Sequence, residues 1–87
     1  MKFKVLVEVD LKAAIADPAG ATIERALPAL GFENISQVRV GKAIRFSLDA
    51  ANSEEARQIV QLVCDRLLAN PVIEDTSIVV EPVQASD

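Results

Sequence analysis

Leu67-Leu68-Ala69-Asn70-Pro71-Val72-Ile73-Glu74 decides where the last helix of this chain stops and its last strand begins. The leucines continue an apolar helical pattern from upstream. Asn70 is a residue type that adopts the left-handed conformation closing a helix, and Pro71 cannot continue one. The octet is therefore expected to be a helix–strand corner with Asn70 in the left-handed position.

Upstream, Asn52 suits an N-cap, with Glu55 three residues on to complete a capping box. The helix it opens carries Ala56, Ile59, Val60, Val63, Cys64 and Leu67 on one stripe. Glu54, Arg57, Gln58, Gln61 and Asp65 fill the opposite arc, and Leu62 falls among them. Cys64 reads as a small buried hydrophobe. Downstream, Thr76 to Val83 is expected to be a strand. Its register is open because Ile78, Val79 and Val80 run together, and Pro82 suits a strand end or an edge. Residues 84–87 are expected to form a frayed tail.

The N-terminal half opens on strict alternation. Phe3, Val5, Val7, Val9 and Leu11 share one face, and Lys2, Lys4, Glu8, Asp10 and Lys12 share the other, where Leu6 is the apolar exception. Asp17-Pro18 then reads as an N-cap followed by proline at the first helical position. Ile23, Ala26, Leu27 and Leu30 follow at helical spacing, Gly31 closes the helix, and Pro28 predicts a bend or a tightened last turn. The spacing next predicts two strands, Ile35 to Gly41 and Lys42 to Asp49, joined by a tight hairpin with positive φ at Gly41. Arg39, Lys42 and Arg45 lie near that turn, either as a solvated, charge-protected ribbon or as a contact for an anion or partner.

The element order βαββαβ with amphipathic helices predicts an α+β, ferredoxin-like fold: one antiparallel four-stranded sheet with two helices on one face. The first and last strands are expected side by side in the middle of that sheet. Leu6 and Val79 then become neighbours on the face away from the helices, which marks them as candidates for self-association.

With 87 residues the chain reads as a single domain spanning 1–87, with one modest core. A net charge of −4 and the absence of a basic run argue against nucleic-acid binding, and an aromatic content of 3% leaves few groups for base stacking. No apolar run approaches membrane-spanning length, and the chain reads as cytoplasmic. It has no histidine, which removes the commonest general acid/base and metal ligand. Gly41-Lys42 lacks the spacing of a phosphate loop. Neither a nucleophile–base pair nor a cysteine-based metal site can be assembled, so catalysis by this chain alone is not expected.

Asp17-Pro18-Ala19-Gly20, the helix after it and Gly31-Phe32-Glu33-Asn34-Ile35 resemble an ACT domain, a regulatory module that binds small ligands. That likeness covers only the first half. A second likeness covers nearly the whole chain: Asp17, Pro18 and Gly20, then Leu30-Gly31-Phe32, Val38-Arg39, Gly41-Lys42, and finally Leu68 to Glu74. In this order and spacing the pieces resemble the PurS family, the small subunit of phosphoribosylformylglycinamidine synthase. Ala19, where the family usually carries glutamine, and Pro28 inside the helix are departures.

The resemblance implies an accessory subunit of a heteromeric ATP-dependent carbon–nitrogen ligase with glutamine as amido donor. A glutaminase subunit releases ammonia, and a synthetase subunit uses ATP and Mg to build the amidine. The PurS-like chain, at least a dimer, bridges the two and helps pass the ammonia, with no cofactor of its own. Asp17, Pro18, Gly20, Arg39, Gly41, Lys42, Asn70, Pro71 and Glu74 are then the motif and interface candidates.

Overall fold

The computed structural model describes residues 1–84, so most of the tail expected at 84–87 lies outside the described residues. Strand β1 runs Lys2–Leu11, helix α1 Pro18–Ala26, β2 Gly41–Asp49, helix α2 Ser53–Val63 and β3 Glu74–Pro82. The three strands form one antiparallel sheet in the order β2-β1-β3. The expected four-stranded, ferredoxin-like sheet is thus corrected to three strands, although the class remains α+β. The first and last strands are neighbours as expected, but only β1 is central, and β3 lies at an edge.

The missing strand is the one expected from Ile35 to Gly41. Its alternation is real, but its donors are taken. The Val38 N–H donates to Glu24 Oε1 at 2.8 Å and the Val40 N–H to Asp17 Oδ2 at 2.8 Å, so the segment is tied to α1 rather than to a ladder. No tight hairpin forms at Gly41, which begins β2 without positive φ. Among the described residues the positive φ values fall instead at Gln37 (57°) and Gly31 (95°).

β1 alternates as its sequence dictates. Phe3, Val5, Val7 and Val9 are buried, and α2 packs over them and over β3 with Ala56, Val60 and Cys64. The register of β3 is settled by its pairing: Ile78 opposes Val7 and Val80 opposes Val5 on the core face, leaving Val79 opposite Leu6 on the other. Asn52 caps α2 by accepting from the Glu55 N–H at 2.8 Å.

The end of α2 departs from the expected stripe. Residues Cys64–Leu68 form a π-helical turn, in which Ala69 N–H reaches the Cys64 carbonyl at 3.0 Å. Widening the turn delays the helical phase by about one residue. Leu68 therefore packs against the core, while Leu67 is 79% exposed.

The second correction concerns α1. It does not lie on the sheet beside α2. No residue between 12 and 40 belongs to the core cluster, and Gly20 is the only buried residue of the helix. Pro28 starts a 3-10 turn (Pro28–Leu30), the tightened end expected for this helix, and Gly31 caps it. Residues 12–40 form an arm beyond the end of the sheet. The molecule accordingly measures 51 × 33 × 15 Å, with a radius of gyration of 16.9 Å against about 12 Å for a compact domain of this length.

Candidate functional site

The arm meets the sheet at a junction built around Asp17. This residue caps α1: its Oδ1 accepts the Gly20 N–H at 2.9 Å while Oδ2 accepts the Val40 N–H, 23 residues away in sequence. Its side chain is 5% exposed. The Val40 and Gly20 N–H groups, and more weakly the Arg39 guanidinium, hold the carboxyl below its usual pKa against the opposing effect of burial. Gly20 is required here by close approach. A Cβ at this position would press on the Val38 carbonyl and stand 2.9 Å from Asp17 Oδ2.

Arg39 completes the joint. Its Nη2 donates to the carbonyls of Leu11 (3.2 Å), Lys12 (3.1 Å) and Ile15 (3.3 Å), and its Nε lies 3.9 Å from Asp17 Oδ2. One guanidinium thus gathers the backbone acceptors left free where β1 ends.

The helix–strand corner abuts the same end of the sheet. Leu11 opposes Glu74 in the ladder, Lys12 N–H donates to the Ile73 carbonyl at 2.9 Å, and Lys12 Nζ pairs with Asp75. Within the corner, Asn70 Oδ1 accepts the Val72 N–H at 3.0 Å, and the Asn70 N–H donates to Glu74 Oε1 at 2.7 Å. The Asn70 carbonyl takes the N–H groups of Ile73 (3.1 Å) and Glu74 (2.8 Å). Asn70 is not left-handed, which corrects the sequence expectation: among the described residues, positive φ at a non-glycine position is confined to Gln37. Its amide works as an Asx-turn acceptor over Pro71, and the helix ends through the π turn and extended Ala69.

The polar side chains of the junction are engaged with backbone groups, and the thiol of Cys64 is buried, with its pKa raised by burial and by the neighbouring Asp65 charge.

The profile of the family PurS, described as phosphoribosylformylglycinamidine (FGAM) synthase, matches residues 4–82. The chain belongs to the PurS family. It is 40% identical to the PurS subunit of phosphoribosylformylglycinamidine synthase from Methanocaldococcus jannaschii, over 94% of this chain and 99% of that one. The crystal structure of that PurS superposes with a TM-score of 0.85. It is 35% identical to the Bacillus subtilis PurS subunit, over 95% and 98% of the two chains. A chain of PurLQS from Thermotoga maritima matches at 35% identity and a TM-score of 0.85, covering 92% and 98%.

The PurS motif residues named from sequence are distributed unevenly over the fold. Asp17, Pro18, Gly20, Arg39 and Gly41 meet at the arm junction, and Asn70, Pro71 and Glu74 form the corner beside it. Gly41 opposes Asp10 in the ladder, and a Cβ there would collide with the Asp10 carboxylate. The basic trio is dispersed: Arg39 is clamped to backbone, Lys42 opposes Val9, and Arg45 opposes Leu6 on the far face. Glu24 was missed. Its carboxylate anchors Val38 from 14 residues away, and nothing in its local sequence sets it apart from a solvated helix glutamate.

Proposed function

We infer that, within phosphoribosylformylglycinamidine synthase, of which PurS chains are a subunit, this chain is the non-catalytic piece that joins the glutaminase to the synthetase. It works in the cytoplasm as a homo-oligomer and helps ammonia pass from one active site to the other. ATP and Mg belong to the synthetase subunit, and the chain carries no cofactor. Its partners contact the sheet-end surface formed by the Asp17–Arg39 junction and the Asn70–Glu74 corner. Leu6 and Val79, on the sheet face turned away from α2, mark a face for self-association.

The observation that carries this reading is the match of one family over residues 4–82, nearly the full length. An ACT-like ligand sensor would account for the first half alone. Also in support, no helix of the described residues is long and apolar enough to cross a membrane.

Reconstitution tests it. Purified synthetase and glutaminase subunits are expected to make amidine from glutamine efficiently only when this chain is added, while the chain alone neither hydrolyses glutamine nor consumes ATP. Glutamine-driven turnover that is complete without it would overturn the proposal.

A further inference from the structure

Three backbone carbonyls converge where β1 gives way to the arm. β2 begins at Gly41, which opposes Asp10, so residues just beyond Asp10 have no β2 residue opposite them. The carbonyls of Leu11, Lys12 and Ile15 lie 3.2, 3.1 and 3.3 Å from a single nitrogen, Arg39 Nη2, and that of Ile15 also accepts from Nη1 at 3.3 Å. Asp17 adds a negative charge 3.9 Å from Nε, while its two oxygens serve the Gly20 and Val40 N–H groups.

The three carbonyls are held by bonds in which Arg39 takes no part. Leu11 is paired with Glu74 in the ladder, Lys12 N–H is fixed to the Ile73 carbonyl, and a turn brings Ile15 N–H back to the Lys12 carbonyl at 2.9 Å. The Lys12 side chain is anchored as well, on Asp75. Acceptors that are in place before the donor arrives lose little freedom when it binds. The donor they suit is a flat cation with several N–H groups in a fixed fork, as in a guanidinium; an ammonium is a compact, strongly hydrated point charge. Solvent reaches the array. The Arg39 side chain is 41% exposed, and it lines an open cleft of about 780 Å³ together with Ala13, Asp17 and Gln37.

We propose that the base of the arm is a guanidinium-binding site, formed by the carbonyls of Leu11, Lys12 and Ile15 beside the Asp17 carboxylate, and that Arg39 is its tethered ligand. Arm and sheet are then coupled by a binding equilibrium instead of a shared core, in keeping with the absence of residues 12–40 from the core cluster. The tether gives Arg39 a high effective concentration, so it outcompetes guanidinium in solution. With Arg39 removed, the same site accepts guanidinium from solution.

The test is chemical rescue. Isotope-labelled Arg39→Ala is titrated with guanidinium chloride below denaturing concentrations, with sodium chloride at equal ionic strength and urea at equal concentration as controls. Before any addition, the Val40 amide is expected to exchange about tenfold faster than in wild type, as loss of hydrogen bonds to a charged group implies. Guanidinium is expected to restore its protection and to move the carbonyl resonances of Leu11, Lys12 and Ile15 saturably, and neither control to do so. Arg39→Lys, which keeps the charge without the fork, is expected to recover only part of the protection. In wild type the same carbonyl signals are expected to stay in place throughout the titration.

A folded Arg39→Ala without a saturable carbonyl shift overturns the proposal, as do equal shifts in wild type. Full protection in Arg39→Lys overturns it too, by showing that charge alone suffices. Wild-type protein gives a reading that needs no variant: the Arg39 Nη protons are expected to be resolved and slow to rotate, and a single averaged Nη signal overturns the docked fork. None of these readouts depends on oligomeric state or on glutamine-driven turnover, so the proposed function stands or falls separately.

Discussion

Leu6 and Val79 stand opposite one another on β1 and β3, on the sheet face turned away from α2. Along β1 that face reads Lys2, Lys4, Leu6, Glu8, Asp10: two cations, one apolar side chain, two anions. Two copies crossing antiparallel about Leu6 bring each β1 cation over a β1 anion. With that face buried between copies as proposed, Leu6→Lys would remove about 2 kcal/mol of apolar burial and add a desolvated charge, so sedimentation is expected to show weakened self-association with the fold intact. Lys4→Glu is expected to weaken it too, and Lys4→Glu with Glu8→Lys to restore it. An unchanged oligomer in Leu6→Lys would remove this face from the interface.

At the helix–strand corner, Asn70→Gly is not expected to be silent. Glycine supplies no acceptor for the Val72 N–H, so a loss of about 1 kcal/mol is expected in urea unfolding, whereas Asn70→Asp keeps the acceptor and most of the stability. In the reconstituted complex, Asn70→Gly is expected to lower glutamine-driven product formation more than ammonia-driven formation, because free ammonia bypasses delivery between subunits. A ratio equal to wild type would confine Asn70 to folding.

Asp17 makes the arm junction sensitive to acid. The folded state holds this carboxylate ionised more firmly than the unfolded state does, so the unfolded chain takes up the proton first as pH falls. Its stabilising contribution is complete above the ordinary carboxylate pKa and is lost as pH drops through the lower folded value. Hydrogen exchange at the Gly20 and Val40 amides is expected to accelerate in that acid window before the β1 amides respond. Asp17→Asn, which keeps at most one of the two acceptors, is expected to loosen the arm at neutral pH and to flatten the acid dependence.

Cys64 is fully buried in the π turn, with its thiol pKa raised. A thiol reagent is therefore expected to label the native protein only through unfolding, at a rate that tracks added denaturant. Fast labelling in native buffer would contradict the packing of this turn. Cys64→Ser, which buries a hydroxyl in the same place, is expected to cost about 1–3 kcal/mol.

Much of the local structure was legible because it depends on near neighbours. The alternation of Phe3 to Val9, the caps at Asp17 and Asn52, the proline-tightened turn and the closure at Gly31 all took the form their spacing implied. What failed depended on distant partners. Val38 and Val40 alternate like a strand, but alternation cannot say that carboxylates at Glu24 and Asp17 claim their N–H groups. Leu67 fits a 3.6-residue stripe, and one widened turn gave its place to Leu68. The stripe of α1 suited a helix lying on the sheet, but the contacts of Asp17 and Arg39 hold the arm at the end of β1 instead. Of the candidate site, the helix cap at Asp17 was legible and forms as expected, whereas at Asn70 the side chain and not the φ angle shapes the corner.

The central position of β1 sets a timetable for folding. Its pairing with β2 closes across roughly 30 to 46 intervening positions, as Asp10 meets Gly41 and Lys2 meets Asp49. Its other edge waits for residues 74–82, with Phe3 opposite Pro82 near the far end of the sequence. Loop-closure entropy makes the second pairing the slower one. Until β3 docks, Val5, Val7 and Val9 present an open, β-branched edge that any passing strand can join. Refolding is thus expected to be most vulnerable to aggregation after the β1–β2 ribbon forms and before the corner at Asn70 delivers the last strand.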